Sequence, residues 1–478
     1  MALEPEPAAA PAPAPKAVQA KDEEARPPTA NEQPKQLPEY SARSWSMLAR
    51  MWVSWSSIAA FFVVSLANSI YIGSITGVMD EFDIGFTLAI SPVTFYSMGF
   101  AIGPMITSAL SEEFGRAYIY KVSLLLTLVF TVVAGSAKNF ATLAVARAIS
   151  GLVASPCVSV FAGVLNDIWK MPEDKPAAPL FALYGLFSVL ATEVGPISGV
   201  SIVEDRNWRW SFWLTAMLLG ACWLALLFVP ETYAPEIRRR ALGLPRTDWR
   251  RQLRVSFTRP LHMLFVEPVI LPTAAIVTIG QVVIFAFYAA YPIVLMEVYD
   301  FSNYSIGLAF LPLMVGSLFC LPILSIVQKR RIKHLPLQPE QLMPAAFAAG
   351  VLMPVGLFWF AWTARSSIHW ICPLLAGFPY GLGFALSQLI YPLYKNEIYG
   401  AELGASAFAI DVAMRYTCSC VFPLFTAQMI HAMRVEWAIS LYAFVLVALI
   451  PVPLWLSRFG PGLRARSRYV AVAREQRV

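Results

Sequence analysis

Charged residues are scarce in this sequence. They make up only 14% of its 478 residues, while 58% of the residues are hydrophobic and the mean hydropathy is +0.60. A soluble domain of this length needs more charge to cover its surface, so the composition excludes that class of protein. It predicts a polytopic membrane protein instead.

Residues that carry catalytic chemistry are also few. The four histidines lack metal-ligand spacing, the six cysteines all fall in apolar segments, and no Walker-type lysine is present. We therefore expect no enzyme activity, no cofactor and no metal site. The net charge of +6 does not indicate a nucleic-acid partner, because membrane topology explains the basic residues better.

Twelve apolar segments predict an all-α membrane protein with twelve spanning helices, since each segment is near the ~20 residues that a spanning helix needs. They are predicted at residues 52–76, 88–110, 117–137, 140–163, 178–203, 209–230, 268–298, 305–327, 342–363, 370–394, 404–429 and 436–457.

The basic residues predict the orientation of these helices. The connection 231–267 carries eight Arg, the connection 328–341 carries four Lys or Arg, and six more Arg follow Ser457. Because cytoplasmic connections are rich in Lys and Arg, we expect both termini and the central loop to be cytoplasmic. The same arginines are suited to contacts with anionic lipid headgroups.

The long basic loop divides the chain into two halves. The predicted domains are a disordered cytoplasmic tail at 1–44, six-helix bundles at 45–230 and 268–457, a basic cytoplasmic loop at 231–267 and a basic cytoplasmic tail at 458–478. The first tail is rich in Ala and Pro and buries too little apolar surface to fold. A weak internal repeat, Gly316 to Lys329 against Gly103 to Arg116, agrees with two similar bundles.

A short polar turn separates the second and third apolar segments. The stretch GPMITSALSEEFGRAY, residues 103–118, resembles the signature loop of the major facilitator superfamily. Glu112 stands where that family has Asp, and Ala117 stands where a second Arg is common. In the family this loop stabilises one conformation of the transport cycle, so the resemblance implies gating roles for Gly103, Pro104, Glu112, Gly115 and Arg116.

Further motifs follow in the order expected for this family. Arg147 in ARAISG resembles the fourth-helix motif, and Gly195, Pro196 and Gly199 in GPISG resemble the antiporter motif of the fifth helix. The stretches NWRWSFW (207–213) and PETY (230–233) are similar to the fungal drug:proton antiporter branch. The resemblance covers about residues 45–470 and implies two six-helix bundles with the cargo near the midplane.

The resemblance also implies a function. We expect proton-coupled export of a small organic molecule by alternating access, the cargo being a drug, a fungal secondary metabolite or an organic acid such as itaconate. The expected partners are this substrate, protons and membrane lipids, and the expected unit is a monomer in the plasma membrane, with a vacuolar or other internal membrane as the alternative. Import or uniport of a nutrient on the same fold and a receptor without flux remain as alternative functions.

Ionisable residues inside the helices are candidates for the site, because a mid-bilayer charge costs at least ~2.5–3.5 kcal/mol on insertion scales. Glu193 is predicted to carry protons, with a neutral packing role as the alternative. Arg147 is predicted to line the cavity or to donate hydrogen bonds to a facing backbone. Lys395 and Glu397 are expected to reach the headgroups from the tenth helix.

Asp411 and Arg415 are four residues apart and therefore lie on one face of the eleventh helix. The spacing predicts that they pair. The pair is either purely structural, or it opens when a proton or an anionic cargo arrives and frees Arg415 to hold a carboxylate.

Overall fold

Backbone polar groups find no water in a bilayer, so a spanning segment satisfies them within a helix. The computed structural model describes residues 41–170, 174, 176–244, 249–333, 338–467 and 469–470, and these residues form helices joined by short turns. Eleven helical segments within them are long and apolar enough to cross a membrane.

The first half contains six spanning helices, and the first of them is interrupted by a tighter 3-10 turn at Ile70–Ser74. In order, they are Met47–Phe82, Phe86–Phe114, Arg116–Gly135, Phe140–Ile168, Ala177–Asp205 and Trp210–Leu227.

The second half contains the remaining five segments, of which the last holds two helices. In order, the segments are Ile270–Glu297, Ser305–Arg331, Pro339–Thr363, Ile371–Gly400 and Ser406–Arg466. A single helix of the length of the last one, 61 residues, would be roughly 90 Å long, about three times the hydrocarbon core. Arg434 has φ 63° and ψ 161° and separates the eleventh helix from the twelfth, as Gly400 separates the tenth from the eleventh. The twelve predicted helices are thus contained in eleven apolar segments.

Both described chain ends lie at the same end of the helices. Arg43 Nη2 donates to the carbonyl of Asn166, at the end of the fourth helix, at 3.1 Å. The Tyr469 hydroxyl lies 2.7 Å from Nδ1 of His262, which belongs to the connection between the halves. We call this end the central-loop end and the opposite one the far end.

The central connection, predicted as a loop, includes helical segments. Its described residues form the helices Ala234–Leu242 and Trp249–Val266. The twelfth helix also continues to Arg466, within the segment predicted to be a tail, and Arg464 Nη2 bonds Glu340 Oε2 at 2.8 Å. Most of the predicted N-terminal tail, residues 1–40, and the last eight residues, 471–478, lie outside the described residues.

The two halves meet at the far end and enclose a cavity nearer the central-loop end. Beyond the cavity, Thr94 Oγ1 donates to the carbonyl of Cys420 at 2.7 Å, and at the far end the Thr87 hydroxyl lies 2.8 Å from the side-chain amide of Gln428. The cavity has a volume of about 530 Å³ and reaches Asn166, which is two residues from the end of the fourth helix. The described contacts therefore close the far end, and the cavity approaches the opposite one.

Candidate functional site

The cavity lies between the fifth helix of the first half and the eighth, tenth and eleventh helices of the second half. Its volume is within the range of small-molecule sites. Its walls are mostly apolar and include Phe61, Phe181, Leu321, Leu324, Leu389 and Phe408. The larger polar side chains on its surface are Asn166, Tyr184, Gln328, Gln388, Asn396 and Arg415.

Arg415 brings a positive charge to the cavity wall although it is only 7% exposed. Its Nη1 donates to Oε1 of Gln388 at 2.8 Å, and Nε2 of Gln388 donates to the carbonyl of Val277 at 3.3 Å. The second bond orients the amide so that its oxygen faces the guanidinium. Arg415 Nε has no hydrogen-bond partner among the described residues. A neutral amide therefore holds this arginine, and part of its donor capacity is unused.

Asp411 pairs with Lys395, so the predicted Asp411–Arg415 pair is wrong. Lys395 Nζ, from the tenth helix, contacts Oδ1 of Asp411, and both residues are 1% exposed. The spacing of four residues places Arg415 on the same face as Asp411, but a base from the neighbouring helix reaches the carboxylate across the helix contact. The prediction that Lys395 reaches the headgroups is therefore also wrong. Glu397 is half-buried and accepts a bond from Arg331 Nη2 at 2.7 Å.

Glu193 lies at the contact between the halves. It is fully buried in the fifth helix, and the Ser317 hydroxyl, from the eighth helix, donates to its Oε1 at 2.7 Å. The same hydroxyl lies 3.1 Å from the carbonyl of Gly381. Oε2 of Glu193 has no hydrogen-bond partner among the described residues. Glu193 is thus a buried carboxyl group whose described partner is a hydroxyl.

Arg147 is outside the cavity lining and fits the predicted backbone-donor role. It is 3% exposed; Nη1 donates to the carbonyl of Ala67 at 2.8 Å, and Nη2 donates to the carbonyl of Asn68 at 3.3 Å. The guanidinium also lies 4.3 Å from the ring centroid of Tyr96, within cation–π range. These two carbonyls stand just before the 3-10 turn of the first helix, so Arg147 satisfies acceptors where the helix changes geometry.

The antiporter-motif residues form a close contact between the fifth helix and the first. A Cβ atom on Gly195 would collide with the hydroxyl of Ser69, and one on Gly199 would collide with the carbonyl oxygen of Ile70. Pro196 lies between them inside the helix. The motif thus lets two backbones approach at the 3-10 turn, as small residues do in membrane helix contacts.

The predicted gating residues meet acidic groups from two other helix ends. Gly115 alone separates the second and third helices, with φ 93°, and a side chain there would collide with Glu231. Oε1 of Glu231 accepts from the backbone N–H of Arg116 at 2.9 Å, and Oε2 accepts from that of Ala117 at 3.1 Å. Arg116 Nε lies 2.7 Å from Oδ2 of Asp167, at the end of the fourth helix. Glu231 therefore caps the third helix, and Asp167 pairs with the side chain of Arg116, the first residue of that helix.

The other gating residues are spread along the second helix. Gly103 packs against Ser155 of the fourth helix, where an added Cβ would collide with the hydroxyl. Pro104 follows inside the helix, and Glu112 is exposed in the last turns before Gly115. The structure brings Gly115 and Arg116 together in one network, whereas Gly103 lies at the contact between the second and fourth helices.

Four partners in these networks were not predicted from the sequence. Asp167 follows directly on the polar Asn166 at the end of an apolar segment, and this acid at a helix end was the available signal. Gln388 and Ser317 offered no signal, because buried amides and hydroxyls are common in membrane helices. Glu231 was recognised within PETY, but its contact with the third helix depends on tertiary structure. Among the described residues, no group of three or more His, Cys, Asp or Glu is placed to hold a metal.

Residues 57–423 match the family model described as Major Facilitator Superfamily. The chain is 30% identical over 479 residues to polyamine transporter 4 of Saccharomyces cerevisiae, covering 91% of this chain and 72% of the relative. It is 31% identical to efflux pump FUB11 of Gibberella moniliformis, with 90% and 76% covered. It is 32% identical to the major facilitator superfamily multidrug transporter mdrA of Aspergillus fumigatus, with 90% and 74% covered.

A solved structure has the same fold. The proton:xylose symporter XylE, bound to 6-bromo-6-deoxy-D-glucose, superposes with a TM-score of 0.61 at 14% identity, covering 87% of this chain and 96% of that one.

Proposed function

We propose that this chain, which belongs to the major facilitator superfamily, exports a small organic molecule in exchange for protons. Family membership makes it a multi-pass membrane transporter and not an enzyme.

The observation that carries the proposal is the cavity between the two halves, approaching one end and closed at the other. A carrier that works by alternating access exposes a midplane site to one side at a time as its halves rock. The Thr87–Gln428 contact belongs to the closed end, and the lining residues of the fifth and tenth helices extend toward the central-loop end. This arrangement is suited to loading cargo from the central-loop end.

The distribution of basic residues supports placing that end in the cytoplasm. Cargo then enters from the cytoplasm, which is the direction of export. Relatives named as efflux pumps and as a multidrug transporter support the same direction. We place the protein in the plasma membrane, where an outward-acting exporter removes its cargo from the cell.

Glu193 is the proposed proton carrier, because its hydrogen bonds suit both protonation states. As a carboxylate, it accepts the proton of the Ser317 hydroxyl at 2.7 Å. As a neutral acid, it donates to Ser317, whose own proton then turns to the Gly381 carbonyl 3.1 Å away. A buried carboxylate that faces a hydroxyl and no described cation carries a large desolvation penalty. Proton uptake neutralises the carboxylate and so removes this penalty.

The position of Glu193 suits coupling to the cargo. The deepest lining residues on the two helices that it joins are Ser188 and Leu321, each four or five residues from the Glu193–Ser317 contact. At the helical rise this corresponds to about 6–8 Å. Glu193 thus lies between the cavity and the closed far end, where rocking of the halves would expose it first to one side and then to the other.

The test is transport by the purified full-length protein in sealed lipid vesicles. Labelled spermidine, itaconate and 4-phenylbutyrate are offered outside vesicles whose interior is more acidic. We expect at least one of them to accumulate and the accumulation to stop when nigericin collapses the pH gradient. Protein-free vesicles correct for passive movement of each solute.

The same vesicles separate the alternatives. Accumulation that requires the more acidic side outside would favour a proton-coupled importer. Uptake that only reaches equal concentrations, whatever the gradient, would favour a uniporter. No protein-dependent movement of any of the three solutes would favour a receptor without flux.

A further inference from the structure

The cavity carries a charge that the described residues around it do not neutralise. We propose that Arg415 makes the site selective for a small organic anion with an apolar body, such as an aliphatic or aromatic monocarboxylate. This inference rests on the proposed function for the meaning of the cavity as a cargo site. It adds the charge and shape of the cargo.

Arg415 is the charged residue among the described residues that line the cavity. The nearby buried charges, Lys395 and Asp411, pair with each other and so cancel. The three residues together have one excess positive charge. Because a buried charge without a counter-ion is costly, an anion that enters the cavity recovers part of that cost.

The guanidinium is positioned to exchange its partner. It holds the Gln388 amide oxygen through Nη1, while its Nε has no partner among the described residues. A carboxylate matches the fork of an arginine and binds it with two parallel charge-assisted hydrogen bonds. Such bonds are stronger than the bond to a neutral amide, so a cargo carboxylate would displace Gln388 or share the guanidinium with it.

The cavity walls indicate the chemical character of the part of the cargo that does not contact Arg415. Phe61, Phe181 and Phe408 line the same cavity, together with several leucines. Apolar and aromatic walls with a few polar groups favour a ligand that buries an apolar body and orients one polar head. A dicarboxylate would place its second charge against these walls.

A polycation would meet the opposite situation. Its amines would lie beside Arg415, and no described residue that lines the cavity supplies a carboxylate to receive them. The described part of this cavity therefore offers no carboxylate that would receive a polyamine.

The test uses three probes that share one apolar body and differ in the charge of the head. They are 4-phenylbutyrate, 4-phenylbutanol and 4-phenylbutylamine, which are anionic, neutral and cationic at pH 7. Binding to the purified full-length protein is measured by isothermal calorimetry at pH 7, without a membrane gradient. We expect the anion to bind at least about tenfold more tightly than the amine, which one charge-assisted pair supplies.

Two variants of Arg415 and one control variant test whether this preference comes from Arg415. Arg415→Gln removes the charge and should reduce the anion-over-amine ratio to less than about threefold. Arg415→Lys keeps the charge but loses the fork, so the anion should still bind more tightly than the amine, by a smaller factor. Arg365→Gln removes an equal charge from an exposed residue outside the cavity lining and should keep the wild-type ratio.

Two results would overturn the inference. One is wild-type protein that binds the amine as tightly as the anion. The other is folded Arg415→Gln protein that retains the full preference. If Arg415→Gln does not fold, the anion-over-amine binding ratios of the wild type and of Arg415→Lys decide whether the inference holds. Because binding is measured without a gradient, a failure of gradient-driven transport with an intact anion preference would contradict the proposed function and leave this inference standing.

Discussion

The two bundles bury arginine in different ways. In the first bundle, Arg147 donates to the carbonyls of Ala67 and Asn68 and does not line the cavity. In the second bundle, Arg415 lies on the cavity wall, and its Nη1 donates to the neutral amide oxygen of Gln388. An arginine that is bound to fixed backbone acceptors stabilises the fold, whereas one bound to a replaceable side chain can serve a ligand. Burial alone does not distinguish these roles.

At the central-loop end the two bundles are more alike. Arg116 pairs with Asp167 in the first bundle, and Arg331 pairs with Glu397 in the second, each pair joining a helix end to the end of the fourth or tenth helix. The internal repeat predicted Lys329 as the counterpart of Arg116, but Lys329 is exposed and Arg331 is buried in the ion pair. The repeated contact suggests similar anchoring of both bundles at this end.

The largest expected effect is on the buried pair of the second bundle. Asp411→Asn leaves Lys395 charged and without its carboxylate, which costs about 3–5 kcal/mol. We expect a steep loss of folded protein by fluorescence-detected size-exclusion chromatography and a lower melting temperature. The double variant Lys395→Met/Asp411→Leu should recover most of the loss, because it buries no charge. A single variant as stable as the wild type would mean that the pair has no structural role.

A smaller loss of stability is expected in the first bundle. Arg147→Gln leaves buried carbonyls of the first helix without donors, at about 1–3 kcal/mol each. The folded fraction should fall, yet the folded molecules should keep the wild-type anion preference of the cavity. Melting temperature and probe binding on the same sample check both points. Folded Arg147→Gln protein without that preference would remove the contrast between the two arginines.

The smallest effect concerns the network around the turn between the second and third helices. Arg116→Ala removes the half-buried pair with Asp167, worth about 1 kcal/mol, and should reduce transport roughly fivefold while membrane abundance stays near wild type. Asp167→Asn should also reduce transport. Initial rates in vesicles, normalised to protein content, provide the measurement. Undiminished transport by abundant Arg116→Ala protein would exclude the gating role of this loop.

The sequence was sufficient to predict an all-helical membrane fold because the bilayer restricts the possible architectures so strongly. Apolar segments of membrane length can only be helices, and the family motifs supplied their arrangement. Side-chain partners were harder to predict. Asp411 and Arg415 share a helix face, and the sequence could not reveal that Lys395 reaches Asp411 from the next helix. The many basic residues of the central connection predict a loop. They do not indicate the helices Ala234–Leu242 and Trp249–Val266 that the structure shows there.

The central claim is that Glu193 couples protons to cargo movement, and one substitution tests it directly. Glu193→Gln keeps the hydrogen-bonding shape of the neutral acid but cannot release a proton. In vesicles it should still exchange labelled for unlabelled cargo at equal concentrations, yet fail to accumulate cargo when a pH gradient is imposed. Glu204→Gln, at an exposed position near the far end of the same helix, is the matched control and should accumulate cargo like the wild type. Glu193→Gln protein that still concentrates cargo under the gradient would contradict the account.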